Sequence, residues 1–305
     1  MLVTNKDLMV PARKNCYAVG AFNVQNLESL SAIVEVATEE NSPVIIAISP
    51  STIKYAGLAY ISGLVKTAAQ LAQVPLTMHL DHGEDFDTAA KCVDAGFTSV
   101  MIDGSFLKFD ENVALTKRVV SIVHPKGVSV EAELGKLAGV EERSVEEKEA
   151  ILTDPKAAVE FVEKTGVDTL AVAIGTSHEA YKFKGEAKLD LERLKIISEK
   201  ISIPLVLHGA SSVPQWLVEK ATKYGAALSG AKGIPEDEYK KAISMGIAKI
   251  NIDTDLRLAF TATVREVLTT SPKEFDPRKI LGPAKEAMKE VAKSKMRLFG
   301  SSGKA

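Results

Sequence analysis

The chain has 305 residues, with 38 basic and 40 acidic side chains and a formal net charge of −2. This balance excludes the strongly basic field typical of nucleic-acid or anionic-membrane binding, while a local basic pocket for an acidic metabolite stays open. The N-terminus lacks the apolar run of a signal peptide, and no apolar stretch reaches the roughly 20 residues that span a bilayer. Cys16 and Cys92 lie outside any CxxC pattern. We therefore expect a soluble, cytoplasmic protein with reduced thiols and neither nucleic acid nor membrane as a partner.

Short apolar runs rich in β-branched residues alternate with longer amphipathic segments. Eight runs are predicted as strands: 17–24, 43–49, 74–81, 99–105, 128–134, 169–174, 203–209 and 247–253. Helix-like segments separate them: 27–40, 84–95, 110–123, 155–164, 189–200, 214–224 and 255–268. Nearly continuous apolar strands that alternate with helices are typical of buried parallel strands in βαβ units. Eight such units over about 250 residues predict an α/β fold of the (β/α)₈ barrel type.

The alternative architecture is an open, doubly wound sheet. That fold usually has a glycine-rich first βα turn, whereas FNVQNLES follows the first predicted strand here. No break in composition indicates a domain boundary, so we predict one barrel domain over 1–305. It includes a C-terminal helical extension over about 270–305, with a terminal helix at 282–297. The segment 225–246 is predicted to be a loop followed by a short helix.

Three of the five histidines lie where predicted strands end, which is the catalytic rim of a barrel: His82, His178 and His208. Three imidazoles at one mouth are a common ligand set for a catalytic Zn²⁺ that keeps an open coordination position. A structural hydrogen bond would explain one such histidine better than a metal does, but three together favour metal. His79 and His124 are predicted to be a packed core residue and a surface residue.

Carboxylates accompany these histidines. Asp81 precedes His82 in the chain and is well placed as a general acid/base. Asp103 and Glu133 fit a second, weaker metal position or hydrogen bonding to the histidines, and a purely structural role fits equally well. Glu131 and Glu133 share strand parity, so one of them should face a lysine inside the barrel.

The loops after the last two predicted strands have features of a phosphate site. Gly209, in an HGAS turn, lets backbone amides approach an anion closely, and Ser211 adds a hydroxyl. Thr254 stands at a helix start, where amide dipoles converge. Asp253 and Asp255 would repel a phosphate, so we expect them to hold hydroxyls or orient basic side chains. In this position the phosphate interpretation is stronger than a plain turn.

Nearly the whole chain resembles the class II fructose-bisphosphate aldolases, in the branch shared with tagatose-bisphosphate aldolases. The stretches that carry the resemblance are VGAFNV (19–24), LDHG (80–83), SVMIDGS (99–105), VEAELG (130–135), AIGTSH (173–178), LVLHGAS (205–211), KINIDTDLR (249–257) and FDPRK (275–279). The resemblance implies reversible cleavage of fructose 1,6-bisphosphate to dihydroxyacetone phosphate and glyceraldehyde 3-phosphate through a zinc-stabilised enediolate. Tagatose 1,6-bisphosphate is the alternative substrate. A homodimer or homotetramer is also implied, with room for a second divalent ion and a monovalent cation, K⁺ or Na⁺.

The resemblance also implies individual roles. Zinc ligands are His82, His178 and His208; the acid/base on the C4 hydroxyl is Asp81; the second cation site is Asp103 and Glu133. Glu141 would exchange the proton of the dihydroxyacetone phosphate carbanion. The ketose-phosphate site would contain Lys182, Gly209, Ala210, Ser211, Asn251, Asp253 and Thr254. Asn23 and Ser49 would contact the substrate elsewhere, and Arg278 would reach the C6 phosphate in a neighbouring subunit.

Substrate choice is assigned to two residues of NIDTDLR that fit the fructose-specific pattern. We expect Asp255 to accept a hydrogen bond from one arrangement of hydroxyls, and Arg257 to orient it or to hold the distant phosphate. An ion pair at the helix start is the alternative for Asp255. Glu179 departs from the family, which usually has glycine directly after the histidine that ends the sixth predicted strand, here His178. The change bears on substrate affinity or cation preference.

Three rival functions are weaker. Lys249 shares strand parity with Asn251 and could form a Schiff base, but the rim histidines would then be superfluous. Metal-dependent hydrolases on barrels often carry an HxH pair on the first strand, which is absent here. Retention of Asp81 and Glu141 beside the histidines argues against a non-catalytic sensor. Metal-dependent aldol cleavage is therefore the prediction.

Overall fold

The computed structural model describes residues 1–137, 150–176, 188–228 and 232–305, together with the backbone of 139–140 and 144–145. Eight parallel strands form a closed barrel. They are β1 (Val19–Asn23), β2 (Val44–Ile48), β3 (Leu76–Gly83), β4 (Ser99–Ile102), β5 (Ser129–Leu134), β8 (Thr169–Val172), β9 (Leu205–Leu207) and β10 (Ile247–Ile252). Between β5 and β8, β6 (Gly139–Val140) and β7 (Ser144–Val145) form a small antiparallel pair.

The barrel prediction is confirmed. β1 pairs in parallel with β2 on one side and with β10 on the other, so the sheet closes on itself. An open doubly wound sheet would leave two strands with an unpaired edge, which excludes the alternative architecture. All eight predicted strands are present, and β3 extends two residues beyond its predicted end.

Helices surround the barrel. They are α1 (Asn5–Lys14), α2 (Leu27–Glu39), α3 (Pro50–Ala56), α4 (Leu58–Leu71), α5 (Phe86–Asp94), α6 (Phe109–Val123), α7 (Pro155–Thr165), α8 (Leu191–Lys200), α9 (Gln215–Lys223), α10 (Glu236–Ser244), α11 (Thr254–Thr270) and α12 (Pro277–Leu298). Three of these, α1, α3 and α4, go beyond the predictions made from sequence. A proline inside α1 and the short length of α3 weaken their local helical signal. Within the described ranges, no helix is long and apolar enough to cross a membrane.

Helix α1 closes the N-terminal end of the barrel. Its Leu8 and Met9 pack in one buried cluster with Val19, Ala21 and Ile45, which lie on barrel strands. A Thr4 capping box starts the helix although a proline lies within it. Because this end is filled with apolar side chains, the barrel opens at its opposite, C-terminal rim.

Helix α12 forms the C-terminal extension and lies against α2 and α11. Four of its basic residues make ion pairs with acidic residues at the C-terminal half of α2: Lys285, Lys289, Lys293 and Arg297 with Glu35, Glu39 and Glu40. Each partly exposed pair contributes little alone, but together they fix the register of the two helices. The opposite face of α12 carries a buried lysine, Lys295.

The two cysteines are free thiols, Cys16 exposed and Cys92 buried. Burial raises the pKa of the Cys92 thiol to about 12. That thiol therefore stays protonated and unreactive at neutral pH.

Candidate active site

A bulge near the end of β3 brings two adjacent side chains to the barrel mouth. Leu80 pairs with Val100 but Gly83 pairs with Ile102, so β3 has one extra residue in this interval. His82 takes up the change with a φ of 48°. Neighbouring residues of a regular strand point to opposite faces, whereas a bulge can turn both to one side. The potential ligand atoms of Asp81, His82 and His208 accordingly lie within 4.8 Å of one another.

Gly83 is required for this bulge. A Cβ at this position would lie 2.6 Å from the carbonyl oxygen of Met101. The LDHG sequence therefore has a physical reason for its glycine directly after the histidine.

Asp81 is fully buried, and both of its carboxylate oxygens accept side-chain hydrogen bonds. Asn23 Nδ2 donates to Oδ2 at 2.8 Å, and Asn251 Nδ2 donates to Oδ1 at 2.8 Å. These two amides come from β1 and β10, so three strands fix the plane of one carboxylate. The arrangement suits a base that must meet a proton at one defined place.

His82 is held by a carboxylate on the next strand. Its Nδ1 donates to Asp103 Oδ2 at 3.0 Å, and Glu133 Oε2 lies 3.8 Å from the same nitrogen. Burial raises the pKa of Asp103, but the hydrogen bond and charge of His82 outweigh it, and the pKa ends below its ordinary value. Because an ionised carboxylate can only accept, Nδ1 carries the proton, and Nε2 is the His82 nitrogen whose lone pair a metal ion could use.

The imidazole ring of His208 is oriented by Glu131, which lies on β5 in the barrel interior. Its Nε2 donates to Glu131 Oε1 at 2.9 Å, and its Nδ1 is buried with no hydrogen-bond partner among the described residues. Burial would raise the pKa of Glu131, but the charge of Lys249 and the hydrogen bond from His208 hold that pKa far below its usual value. Nδ1 of His208 is therefore left with its lone pair towards the mouth. The rings of His82 and His208 meet edge to face, with centroids 4.5 Å apart.

Lys249 lies inside the barrel and is fully buried. Its Nζ donates to both oxygens of Glu131, at 2.8 and 2.9 Å, and lies 3.1 Å from His79 Nε2. This confirms that one of the paired glutamates faces a lysine. All three donors of the ammonium group are used, so Lys249 does not offer a free amine for a Schiff base. His79 is a core residue as predicted, and burial with the nearby Lys249 charge lowers its pKa to about 3.

The predicted phosphate loops lie side by side, because β9 and β10 are neighbours in the barrel. Gly209 follows β9 with a φ of 59°, and Ala210 and Ser211 are buried next to it. Thr254 is the first residue of α11, directly after β10. A glycine turn beside a helix N-terminus is a suitable geometry for an anion. Ser49 lies at the same rim and caps α3.

Two side chains assigned to substrate choice are placed differently from the prediction. Asp255 is fully buried, and its carboxylate accepts from the Ser212 and Val213 amides and pairs with Lys295. Its oxygens are thus committed to protein groups and not to a substrate hydroxyl. Arg257 does not orient Asp255; its exposed guanidinium pairs with Asp253 at 3.1 Å. Asp255 and Arg257 are two residues apart on α11 and so point in different directions, which is why Arg257 pairs with Asp253 and not with Asp255.

Two other residues discussed from the sequence, Arg278 and His124, have exposed side chains. Arg278 projects from the start of α12 with 90% of its side chain exposed, and pairs with Asp276. His124 is partly exposed and lies 2.8 Å from Asp168, which directly precedes β8 and so lies at the end of the barrel opposite the C-terminal rim. The other residues predicted for the site lie outside the described residues: Glu141, His178, Glu179 and Lys182.

One of Glu131 and Glu133 was expected to face a lysine, but the contact between Glu131 and His208 was not predicted. Lys295 was missed entirely. Its burial could have been predicted from the sequence, because Lys295 follows Val291 by four residues and so lies on the apolar face of α12. A lysine at such a position is usually buried against a carboxylate.

Comparison with known proteins settles the family. The sequence model described as fructose-bisphosphate aldolase class-II matches residues 3–304. The chain belongs to this family. It is 56% identical to the fructose-bisphosphate aldolase of Thermus caldophilus and 49% identical to that of Helicobacter pylori strain 26695, each over the full length of both chains. Among solved structures, it resembles the YdjI aldolase of Escherichia coli K12, with a TM-score of 0.83, 36% identity and full coverage of both chains.

The site of this class II family member fits a divalent metal ion. Nδ1 of His208 is a buried nitrogen whose other ring nitrogen is committed to Glu131, and a buried acceptor without a donor is unfavourable unless something binds it. His82 is oriented in the same manner by Asp103. Two neutral imidazoles held by carboxylates at one mouth are the donor set that zinc prefers.

Proposed function

We propose that the chain reversibly cleaves fructose 1,6-bisphosphate into dihydroxyacetone phosphate and glyceraldehyde 3-phosphate, with Zn²⁺ held by His82, His178 and His208. The observation that carries the proposal is the lone pair of His208 Nδ1, buried beside His82 and the fixed carboxylate of Asp81. The similarity of the whole chain to proteins named fructose-bisphosphate aldolase supports the choice of substrate.

Cleavage requires a base for the C4 hydroxyl of the substrate. Asp81 takes this proton, C4 becomes an aldehyde, and the electrons of the C3–C4 bond remain on C3 beside the C2 ketone. Bound zinc would supply a Lewis acid for the charge that spreads to the ketone oxygen. Asn23 and Asn251 hold the Asp81 carboxylate so that it meets the C4 hydroxyl in one orientation.

The remaining predicted residues complete the proposal. Glu141 delivers a proton to C3 of the dihydroxyacetone phosphate carbanion. Lys182, Gly209, Ala210, Ser211, Asn251, Asp253 and Thr254 surround the ketose phosphate, while Asn23 and Ser49 contact the substrate elsewhere. Asp103 and Glu133 orient His82 and offer a second cation position, and a monovalent cation, K⁺ or Na⁺, completes the proposed set of ions.

The assembly is proposed to be a cytoplasmic homodimer or homotetramer. The support is Arg278, whose side chain is 90% exposed and which pairs with Asp276 two residues earlier, so that its guanidinium lies where a neighbouring subunit's C6 phosphate could meet it. Sedimentation of the wild type, together with kcat/KM of Arg278→Ala in mixed oligomers with Asp81→Asn chains, tests this arrangement.

The first experiment is turnover of fructose 1,6-bisphosphate before and after treatment with a chelator. We expect the chelator to abolish cleavage and added Zn²⁺ to restore it. Tagatose 1,6-bisphosphate is the comparison substrate and should give the lower kcat/KM. A fully zinc-loaded protein that cleaves neither sugar would refute the proposed activity.

A further inference from the structure

Two opposite charges are buried behind the turn formed by residues 209–213. Lys295 Nζ on α12 lies 3.0 Å from Asp255 Oδ2 on α11, and neither side chain is more than 5% exposed. An ion pair removed from water is unfavourable unless its remaining hydrogen-bonding capacity is satisfied. The partners that satisfy it therefore indicate what the pair does.

Those partners are the residues that directly follow Ser211. Asp255 Oδ1 accepts from the Val213 amide at 2.8 Å, and Oδ2 accepts from the Ser212 amide at 3.1 Å and its hydroxyl at 3.0 Å. Lys295 also donates to the Ser212 hydroxyl. The Asp255 carboxylate thus holds two consecutive backbone amides, and the Lys295 ammonium group holds that carboxylate and the Ser212 hydroxyl.

The turn needs such support because its backbone is strained. Val213 has a φ of 48°, a left-handed conformation that is rare for a β-branched residue. A strained backbone conformation of this kind persists only where contacts with the surrounding structure hold it in place. A further contact comes from Tyr239, whose hydroxyl donates to the Ala210 carbonyl, and whose ring lies 5.4 Å from Lys295 Nζ.

We infer that Lys295 and Asp255 are positioning residues that hold the turn 209–213 in the conformation that receives a substrate phosphate. Neither residue touches the substrate. Without the pair, Val213 would relax towards negative φ and the amides of the turn would move away from the anion. The inference rests on the proposed function, since it assumes that this turn binds the ketose phosphate.

This role predicts a loss of affinity that does not depend on the configuration at C4. Fructose and tagatose bisphosphates carry the same phosphate on the ketose half, so a displaced turn weakens both equally. A direct contact between Asp255 and a sugar hydroxyl would instead weaken one epimer more. The two roles are therefore distinguishable in one comparison.

The experiment uses two single variants of the zinc-loaded enzyme, Lys295→Met and Asp255→Asn. We expect KM for fructose 1,6-bisphosphate to rise about tenfold or more, the range for a lost charge-assisted hydrogen bond, with kcat little changed. The affinity for inorganic phosphate, measured by calorimetry, should fall by a similar factor. The matched control is Lys289→Met on the same helix, because Lys289 pairs with the partly exposed glutamates Glu35, Glu39 and Glu286. It should leave KM unaltered.

If Lys295→Met does not fold, Lys295→Arg replaces it, because arginine keeps a hydrogen-bonding group in place. The KM of Lys295→Arg and of Asp255→Asn is then compared with that of the wild type. Unchanged KM and phosphate affinity in variants that lose only thermal stability would overturn the inference. So would an Asp255→Ala variant that loses kcat/KM mainly on the fructose epimer. A zinc-loaded wild type without aldolase activity would instead defeat the proposed function, which separates the two failures.

Discussion

His208 donates its Nε2 proton to Glu131 across 2.9 Å, and Glu131 in turn accepts two hydrogen bonds from Lys249. The contact selects the neutral tautomer of His208 that has its lone pair on Nδ1. A chain of three buried residues thereby sets, from the barrel interior, the orientation of the histidine proposed to bind zinc.

Glu131→Gln should lower zinc affinity by about 10- to 100-fold, the usual consequence of losing such a supporting carboxylate. The measurement is competition for zinc with a chelator of known affinity. Because the single change leaves Lys249 as an uncompensated buried charge, the double variant Glu131→Gln/Lys249→Met is made alongside it. Glu266→Gln, which alters a surface ion pair with Lys220, is the control. Wild-type zinc affinity in the double variant would show that Glu131 does not orient the ligand.

Borohydride added to the enzyme with fructose 1,6-bisphosphate should leave activity and mass unchanged. Lys249 is fully buried and its three donors are all engaged, so its amine cannot attack a ketone. Mass spectrometry of the treated chain checks this, with borohydride alone as the control. A stable adduct on Lys249 would contradict the metal assignment.

Asp81→Asn should retain zinc and lose roughly 10²–10⁴ in kcat, the range for a positioned acid/base. The variant keeps the shape of the side chain but places an NH₂ group against one of two donating amides. Asn251 can adapt, since its Oδ1 has no hydrogen-bond partner in the described part of the chain and can accept after an amide flip. Metal analysis accompanies the kinetics. Loss of zinc from the variant would make Asp81 a ligand or a ligand-orienting residue.

His79 should make the stability of the metal-free chain depend on pH. Its pKa is about 3 in the folded chain and ~6.5 when unfolded. Between these values the unfolded chain binds the proton and the folded chain does not, so the stabilisation is present above pH ~6.5 and is lost as pH falls towards 3. The slope is at most ~1.4 kcal/mol per pH unit for one group.

Urea unfolding at several pH values between 7 and 5 measures this slope. His79→Gln removes the titrating ring, so its free energy of unfolding should vary less with pH than that of the wild type. Above pH 7 the two curves should run parallel. Equal slopes throughout would mean that His79 binds its proton over the same pH range in the folded and the unfolded chain.

Sequence alone determined the barrel and the identity of most rim residues. The alternation of apolar strands with amphipathic helices is a local signal, readable within each segment of ten to twenty residues. Parallel strands in a barrel end at one rim, so residues such as His82, Asp103 and His208 could be placed there without coordinates. The prediction that one of two glutamates on a strand faces a lysine needed only the strand's period of two.

Tertiary structure alone decided how these residues face one another. The β3 bulge turns Asp81 and His82 to the same side, against the alternation that the sequence predicts. Asp255 reaches Ser212 and Lys295, residues 43 and 40 positions away along the chain, so no local pattern could reveal that it is buried. Contacts of this kind depend on the closure of the barrel and the docking of α12, which are properties of the whole fold. The positions of the rim residues can thus be predicted from local sequence patterns. Their hydrogen bonds and tautomers instead depend on packing between segments that are distant along the chain.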